Sequence, residues 1–181
     1  NINNATISGN TDLVKVLDNA ANVNLSGATL NGNISSAVDA YALNISGSGL
    51  TTINGTVDKA IATLNDASLA FNTNTFANAT LNAESGNIDL VDNTANNYEF
   101  GTLNATNTQF NLDILGENSA DKIIAGTGST GTININSLNF AADLTDSEFK
   151  IQLLQADSDA IKLALNSAIT GTDYALGKTT K

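Results

Sequence analysis

"DKIIAGTGSTGTININSLNF", Asp121 to Phe140, decides how this chain is read. A charged turn at Asp121 opens a short apolar run, Lys122 to Ala125. Gly126 to Gly131 is a permissive turn, and Thr132 to Asn136 sets Ile133 and Ile135 on one face with asparagine between them. The local pattern is strand, turn, strand. It predicts that Ile133 and Ile135 point into a core and that Asn134 points out.

The same period-2 alternation recurs at Val23 and Leu25, Leu43 and Ile45, Ile88 and Leu90, Phe110, Leu112 and Ile114, and Phe149, Ile151 and Leu153. Small-residue turns separate these runs: Ser8-Gly9, Ser26-Gly27, Asn31-Gly32, Ser46-Gly47-Ser48-Gly49, Asn54-Gly55 and Ser85-Gly86. Only Thr11 to Ala21 and Ser158 to Ala168 admit a helical reading. In the second, Ile161, Leu163 and Leu165 fit a strand better.

The runs also repeat. "LDNAANVNLSG" from Leu17, "VDAYALNISGSG" from Val38 and "VDKAIATLNDAS" from Val57 share an aliphatic-Asp opening, an Ala and a Leu/Ile strand at offsets of about 20 residues, and "ISG" at Ile7, "LSG" at Leu25 and "ISG" at Ile45 echo them. One coil of a β-solenoid needs a period near 20 with short strands, because no coil buries its apolar face alone. Residues 1–181 then form a single solenoid section of roughly nine coils, on the order of 45 Å tall at ~4.8 Å per stacked strand. The alternative is an antiparallel β-sandwich, which uses the same short strands and Gly-rich turns.

Composition supports the solenoid. Of 181 residues 28 are Asn, whose side-chain amides can bond their equivalents in the next coil. There is no Pro, which would delete hydrogen bonds in strands paired on both sides. An Asn-rich chain can be disordered, but a hydrophobic fraction of 41% held in strict alternation argues for a core.

The charge is low in density and lopsided: 18 acidic residues against 7 basic ones, all Lys, for a net charge of −11. That field repels nucleic acid and anionic membranes, so neither is an expected partner. No apolar run reaches the ~18 to 20 residues that span a bilayer, and membrane insertion by this segment is not expected. Cys, His, Met and Trp are absent, which removes the usual zinc and copper ligands, the thiol nucleophile and the commonest general base. The missing initiator Met and signal segment suggest a fragment or a processed chain.

The stretch "NATNTQFNLDILGENSADKIIAGTGSTGTININSLNF", Asn104 to Phe140, resembles the C-terminal part of bacterial autotransporter passengers. In that family a short strand leads to an Asp-Lys/Arg-aliphatic step, a small-residue turn with Gly and another aliphatic strand. Asp121, Lys122, Ile123, Gly126 and Gly131 match the step. "FKIQLLQADSDAIKLAL", Phe149 to Leu165, and "GTDYALG", Gly171 to Gly177, are similar to the strands that follow it, so the resemblance occupies residues 101–181. Residues 1–100 read as irregular repeats of a large surface protein. The resemblance implies a right-handed parallel β-helix outside a bacterial cell, used as an adhesin or stalk.

The candidate chemistry is thin. Asp157 and Asp159, two apart, would on a strand share one face and repel, raising one pKa, as in a β-helical hydrolase, but the favoured reading is that they are solvated turn carboxylates. "DLTDSE" supplies Asp143, Asp146 and Glu148 as oxygen ligands for weakly bound calcium, without the spacing of an EF-hand or of a calcium-binding β-roll. No other cofactor is expected. The Asn-x-Ser/Thr triplets at Asn4, Asn24, Asn33, Asn44, Asn54, Asn78 and Asn104 arise by chance in such a composition. The expected function is non-enzymatic: a cell-surface or secreted adhesive module meeting a host or neighbouring-cell surface, or a subunit that assembles with copies of itself through its uncharged start, Asn1 to Asn10. A carbohydrate-active β-helix enzyme is the disfavoured third reading.

Overall fold

The computed structural model describes residues 1–141 and 150–165. These contain fifteen strands and no helix. In chain order they are β1 (Ile2–Asn3), β2 (Thr6–Val16), β3 (Asn22–Ser26), β4 (Thr29–Ser36), β5 (Tyr41–Ser46), β6 (Leu50–Ile53), β7 (Asp58–Asn65), β8 (Ala67–Phe71), β9 (Phe76–Asp89), β10 (Asn97–Gly116), β11 (Ser119–Ala120), β12 (Lys122–Ala125), β13 (Thr130–Phe140), β14 (Leu154–Ala156) and β15 (Ile161–Leu165). Every pairing is parallel except that of β10 with β11. Parallel stacking rules out the antiparallel sandwich and gives a β-solenoid of about six turns, roughly 22 residues each.

Three columns of inward residues run through the stack. The first passes from Ile2 through Leu25, Ile45, Leu64, Ala83 and Ala105 to Gly131 and Ile161. The second holds Ile7, Leu30, Ile53 and Phe71, then Leu69, Ile88, Phe110, Ile135 and Leu165. The third holds Val14, Ile34 and Val57, and higher up Phe76, Phe100, Ala125 and Ala156. Alternation places aliphatic side chains at the inward positions, and stacking seals them: Leu25, Ile45, Leu64, Ile53, Ile88, Phe110, Ile133 and Ile135 are fully buried. Each such side chain contributes ~1.5 to 3 kcal/mol over its exposed state. From the second column Phe71 meets Phe76, Tyr98 and Phe100 edge-on, with centroids 5.1 to 5.8 Å apart.

The opening stretch reads as its alternation predicted. Asn134 lies at the surface side, half-buried, and its amide donates to the Thr108 carbonyl at 3.4 Å. Gly131, with φ +100°, shows why the turn before it needs glycine: a Cβ there would collide with the Ala105 carbonyl of the coil below.

Coil length differs from the expected 20. The first column steps 23 residues from Ile2 to Leu25, 19 from Ile45 to Leu64 and 30 from Gly131 to Ile161. Fewer coils therefore fit than the nine expected. Strands β9 and β10 run round corners unbroken, so each serves all three columns, and the Ser85-Gly86 turn lies inside β9. Thr11 to Ala21 is not helical: β2 covers it to Val16, and register shifts at Asp12 bring Leu13, Val14 and Val16 inward with a spacing that imitates a helix face. "ISG" at Ile7 is no register mate of the other two. Ile7 stacks on Leu30 in the second column, whereas Leu25 and Ile45 belong to the first.

Asparagine ladders form as expected, but on outward strand positions rather than only at turns. The Asn44 amide donates to Asn24 Oδ1 at 2.9 Å, and the Asn24 amide donates to Asn1 Oδ1 at 2.8 Å. The Asn104 amide donates to Asn82 Oδ1 at 2.9 Å, and Thr130 Oγ1 donates to Asn104 Oδ1 at 2.9 Å. Parallel register makes this possible, because each Asn sits over its equivalent and offers one donor and one acceptor along the stack. The N-terminal stretch packs on the body of the chain through β1 on β3 and β2 on β4.

Candidate functional site

One corner of the coil, between the second and third columns, takes up most of the length variation. In the lower coils it is a tight turn, Asn31-Gly32-Asn33 and above it Asn54-Gly55-Thr56. The Asn54 amide donates to Asn31 Oδ1 at 2.7 Å, and a Cβ on Gly55 would strike the Gly32 carbonyl. Higher up the same corner opens into a segment at 91–96 and, one coil on, into the antiparallel turn that joins β10 to β11.

Two fully buried carboxylates, Asp113 and Asp121, bind these excursions together. The Asp92 and Asn93 backbone N–H groups donate to Asp113 Oδ2 at 2.8 and 2.7 Å, and the Asn139 amide donates to Asp113 Oδ1. The Asn96 backbone N–H donates to Asp121 Oδ1 at 2.9 Å and that of Asp113 to Asp121 Oδ2 at 2.8 Å, while the Asp121 N–H returns a bond to the Asp113 carbonyl at 2.9 Å. Tyr98 closes the knot from below, its hydroxyl donating to the Leu90 carbonyl at 3.1 Å. Backbone N–H donors in a loop that would otherwise lack partners are thus satisfied by carboxylates from the next coil. Burial pushes Asp121 up to about 6, helped by the Asp113 and Asp92 carboxylates and opposed by its two backbone donors. Burial likewise pushes the Tyr98 phenol up.

The charged turn expected at Asp121 is therefore a buried structural group. Asp113 was equally hidden in the sequence: between Leu112 and Ile114 it occupies an outward position, and it is buried only because the 91–96 segment folds over it. With both carboxylates fully buried, neither reaches a substrate. They are structural acceptors.

The acidic residues singled out from the sequence are placed elsewhere. Asp157 and Asp159 do not share a strand face; both are exposed in the turn between β14 and β15, and Asp157 accepts from Thr127 Oγ1 at 3.1 Å. Asp143, Asp146 and Glu148 lie outside the described residues. Among the described residues no group of three or more carboxylate, imidazole or thiolate side chains is arranged to hold a metal ion, and no helix is long and apolar enough to cross a membrane.

The outer face over the first column carries a regular uncharged strip, with Glu84 exposed beside it. Asn24, Asn44, Thr63, Asn82, Asn104 and Thr130 follow one another in register, and Ala42, Ile61, Thr80 and Thr102 run beside them. At the next corner a shallow groove of about 460 Å³ crosses four coils, lined by Ser48, Asp66, Ser68, Asn87, Asn107 and Gln109. Amides and hydroxyls at ~4.8 Å intervals along these surfaces offer repeated hydrogen-bond donors and acceptors. Comparison of the chain with protein-family models, curated proteins and solved structures found no match.

Proposed function

We propose that the chain is a non-catalytic β-solenoid module of a bacterial cell-surface or secreted protein, a rigid stalk whose uncharged outer strip meets a host or neighbouring-cell surface. The observation that carries this reading is the outward column Asn24, Asn44, Thr63, Asn82, Asn104 and Thr130, an uncharged strip of donors and acceptors in a chain of net charge −11. A strip without charge approaches an anionic cell surface with less repulsion than the rest of the molecule. The autotransporter-like step at Asp121 to Gly131 agrees with display outside the cell. Calcium at Asp143, Asp146 and Glu148 belongs to this reading only as a weakly bound accessory.

Beads coated with the wild-type chain should adhere to epithelial or bacterial monolayers, and Thr63→Lys with Thr80→Glu should reduce adhesion while leaving the melting temperature unchanged. Equal adhesion by the two coatings would overturn the reading. A second reading, assembly with copies of itself, is favoured by β1 and β2, each of which pairs on one side only among the described residues. Negative-stain images would then show fibres growing along the solenoid axis, and dispersed short rods would exclude it.

A further inference from the structure

We propose that the outward face over the first column is an ice-binding surface, a rigid grid of amides, hydroxyls and methyl groups spaced to fit the water net of an ice crystal. The grid has two ranks. One is Asn24, Asn44, Thr63, Asn82, Asn104 and Thr130. The other is Ala42, Ile61, Thr80 and Thr102, each two residues before its neighbour in the first rank on the same strand. Register is unbroken across this area, because the shifts in the β7–β9 and β9–β10 pairings fall before Ile61 and before Thr102. Neither rank contains a charged residue.

The spacing names the partner. Waters joined at ~2.75 Å in a tetrahedral net have second neighbours ~4.5 Å apart. Stacked strands repeat at ~4.8 Å, so from Asn24 to Thr130 the two rulers drift apart by about 1.5 Å, less than half a period. Between the ranks, residues two apart on a strand lie ~6.6 Å apart against ~7.3 Å for the repeat of the same net along its stacking axis, a misfit of about 0.7 Å met only once. The side chains are also held in place. Along the stack the Asn44 amide is bonded to Asn24, the Asn104 amide to Asn82 and Thr130 Oγ1 to Asn104. Each of these amides keeps a second N–H for water. Groups fixed before contact lose little freedom on adsorbing, and water in ice is immobile already. Ile61 leaves half its surface uncovered in the middle of the grid, and a contacting solid removes that apolar area from liquid water. Glu84, exposed two residues beyond Asn82, marks the edge, since a carboxylate keeps its own hydration. The inference rests on the strip used for the adhesive reading and adds a crystalline partner to it; assays without cells let the two fail separately.

The full chain is tested by freezing its solution slowly onto a cooled probe and comparing protein in the ice with protein in the remaining liquid. The wild-type chain should concentrate in the ice and should stop ice grains from coarsening. Thr63→Tyr with Thr80→Tyr, which breaks the flat grid, should lose both effects at an unchanged melting temperature. Asn107→Tyr, exposed at the next corner, should keep both. Glu84→Thr, which removes the charge at the edge, should raise uptake above the wild type. Exclusion of the wild-type chain from ice would overturn the proposal whether or not it adheres to cells, and this arm requires no variant to fold. Equal uptake by the folded double-tyrosine chain would overturn it too. So would a wild-type dimer in light scattering that the double variant abolishes, because a second copy would then cover the face.

Discussion

The corner between the second and third columns exists in two forms on one chain. At Asn31-Gly32-Asn33 and Asn54-Gly55-Thr56 it is the shortest possible link, with glycine over glycine and amide over amide. At 91–96 and at the β10–β11 turn it is an excursion, and the donors that stacking no longer satisfies are taken by Asp113 and Asp121. The columns beneath scarcely notice: Ile53, Ile88, Phe110 and Ile135 are equally buried under either form. A solenoid therefore tolerates variable coil length where the extra residues leave the stack at a corner. The consequence is a buried charge at that corner, which the tight form does not need.

If the columns are common to both regions, Ile53→Ala under the tight corner and Ile135→Ala under the expanded one should each cost about 2 to 5 kcal/mol by denaturant titration, and Asn134→Ala far less. Unequal losses for the two isoleucines would break the comparison. The next effect separates the corners by pH. Stability of Asp121→Asn relative to the wild type should rise between pH 4 and pH 7 by up to about 3 kcal/mol, since only the wild type has a proton to lose there. Gly55→Ala should cost about 1 to 3 kcal/mol, because its Cβ meets a backbone carbonyl that cannot yield. Gly128→Ala, at φ +83° in open space, should cost less, ~1 kcal/mol of backbone strain alone. Removing one rung with Asn44→Ala should cost ~1 kcal/mol at any pH. Asp157→Asn, exposed in its turn, should stay within ~0.5 kcal/mol.

Particular residues show why the fold was more legible than the site. Leu25, Ile45 and Leu64 advertise their column because each is flanked by polar residues and sits about 20 positions from the next. Period 2 fails where the backbone bulges, as at Asp12 in β2, and coil counting fails where β9 and β10 each run unbroken through three columns. Asp113 could not be found by pattern at all. Its strand position points outward, and only the folding of residues twenty positions earlier makes that side an interior. Asp121 opens a strand, where a carboxylate ordinarily meets water, and the fold places it in contact with another coil's backbone. Both depend on tertiary coverage, which local alternation does not encode.

The stack itself is open to direct measurement, because a chain without cysteine accepts spin labels at chosen sites. With one nitroxide fixed at Asn24 and a second placed in turn at Asn82, Asn104 and Thr130, double electron–electron resonance measures three, four and five steps of a single column. Stacking predicts narrow distributions rising in equal steps of ~4.8 Å, near ~14, ~19 and ~24 Å before the label arms are added. Distances that fail to increase in that order, or broad distributions at all three sites, would contradict a continuous solenoid.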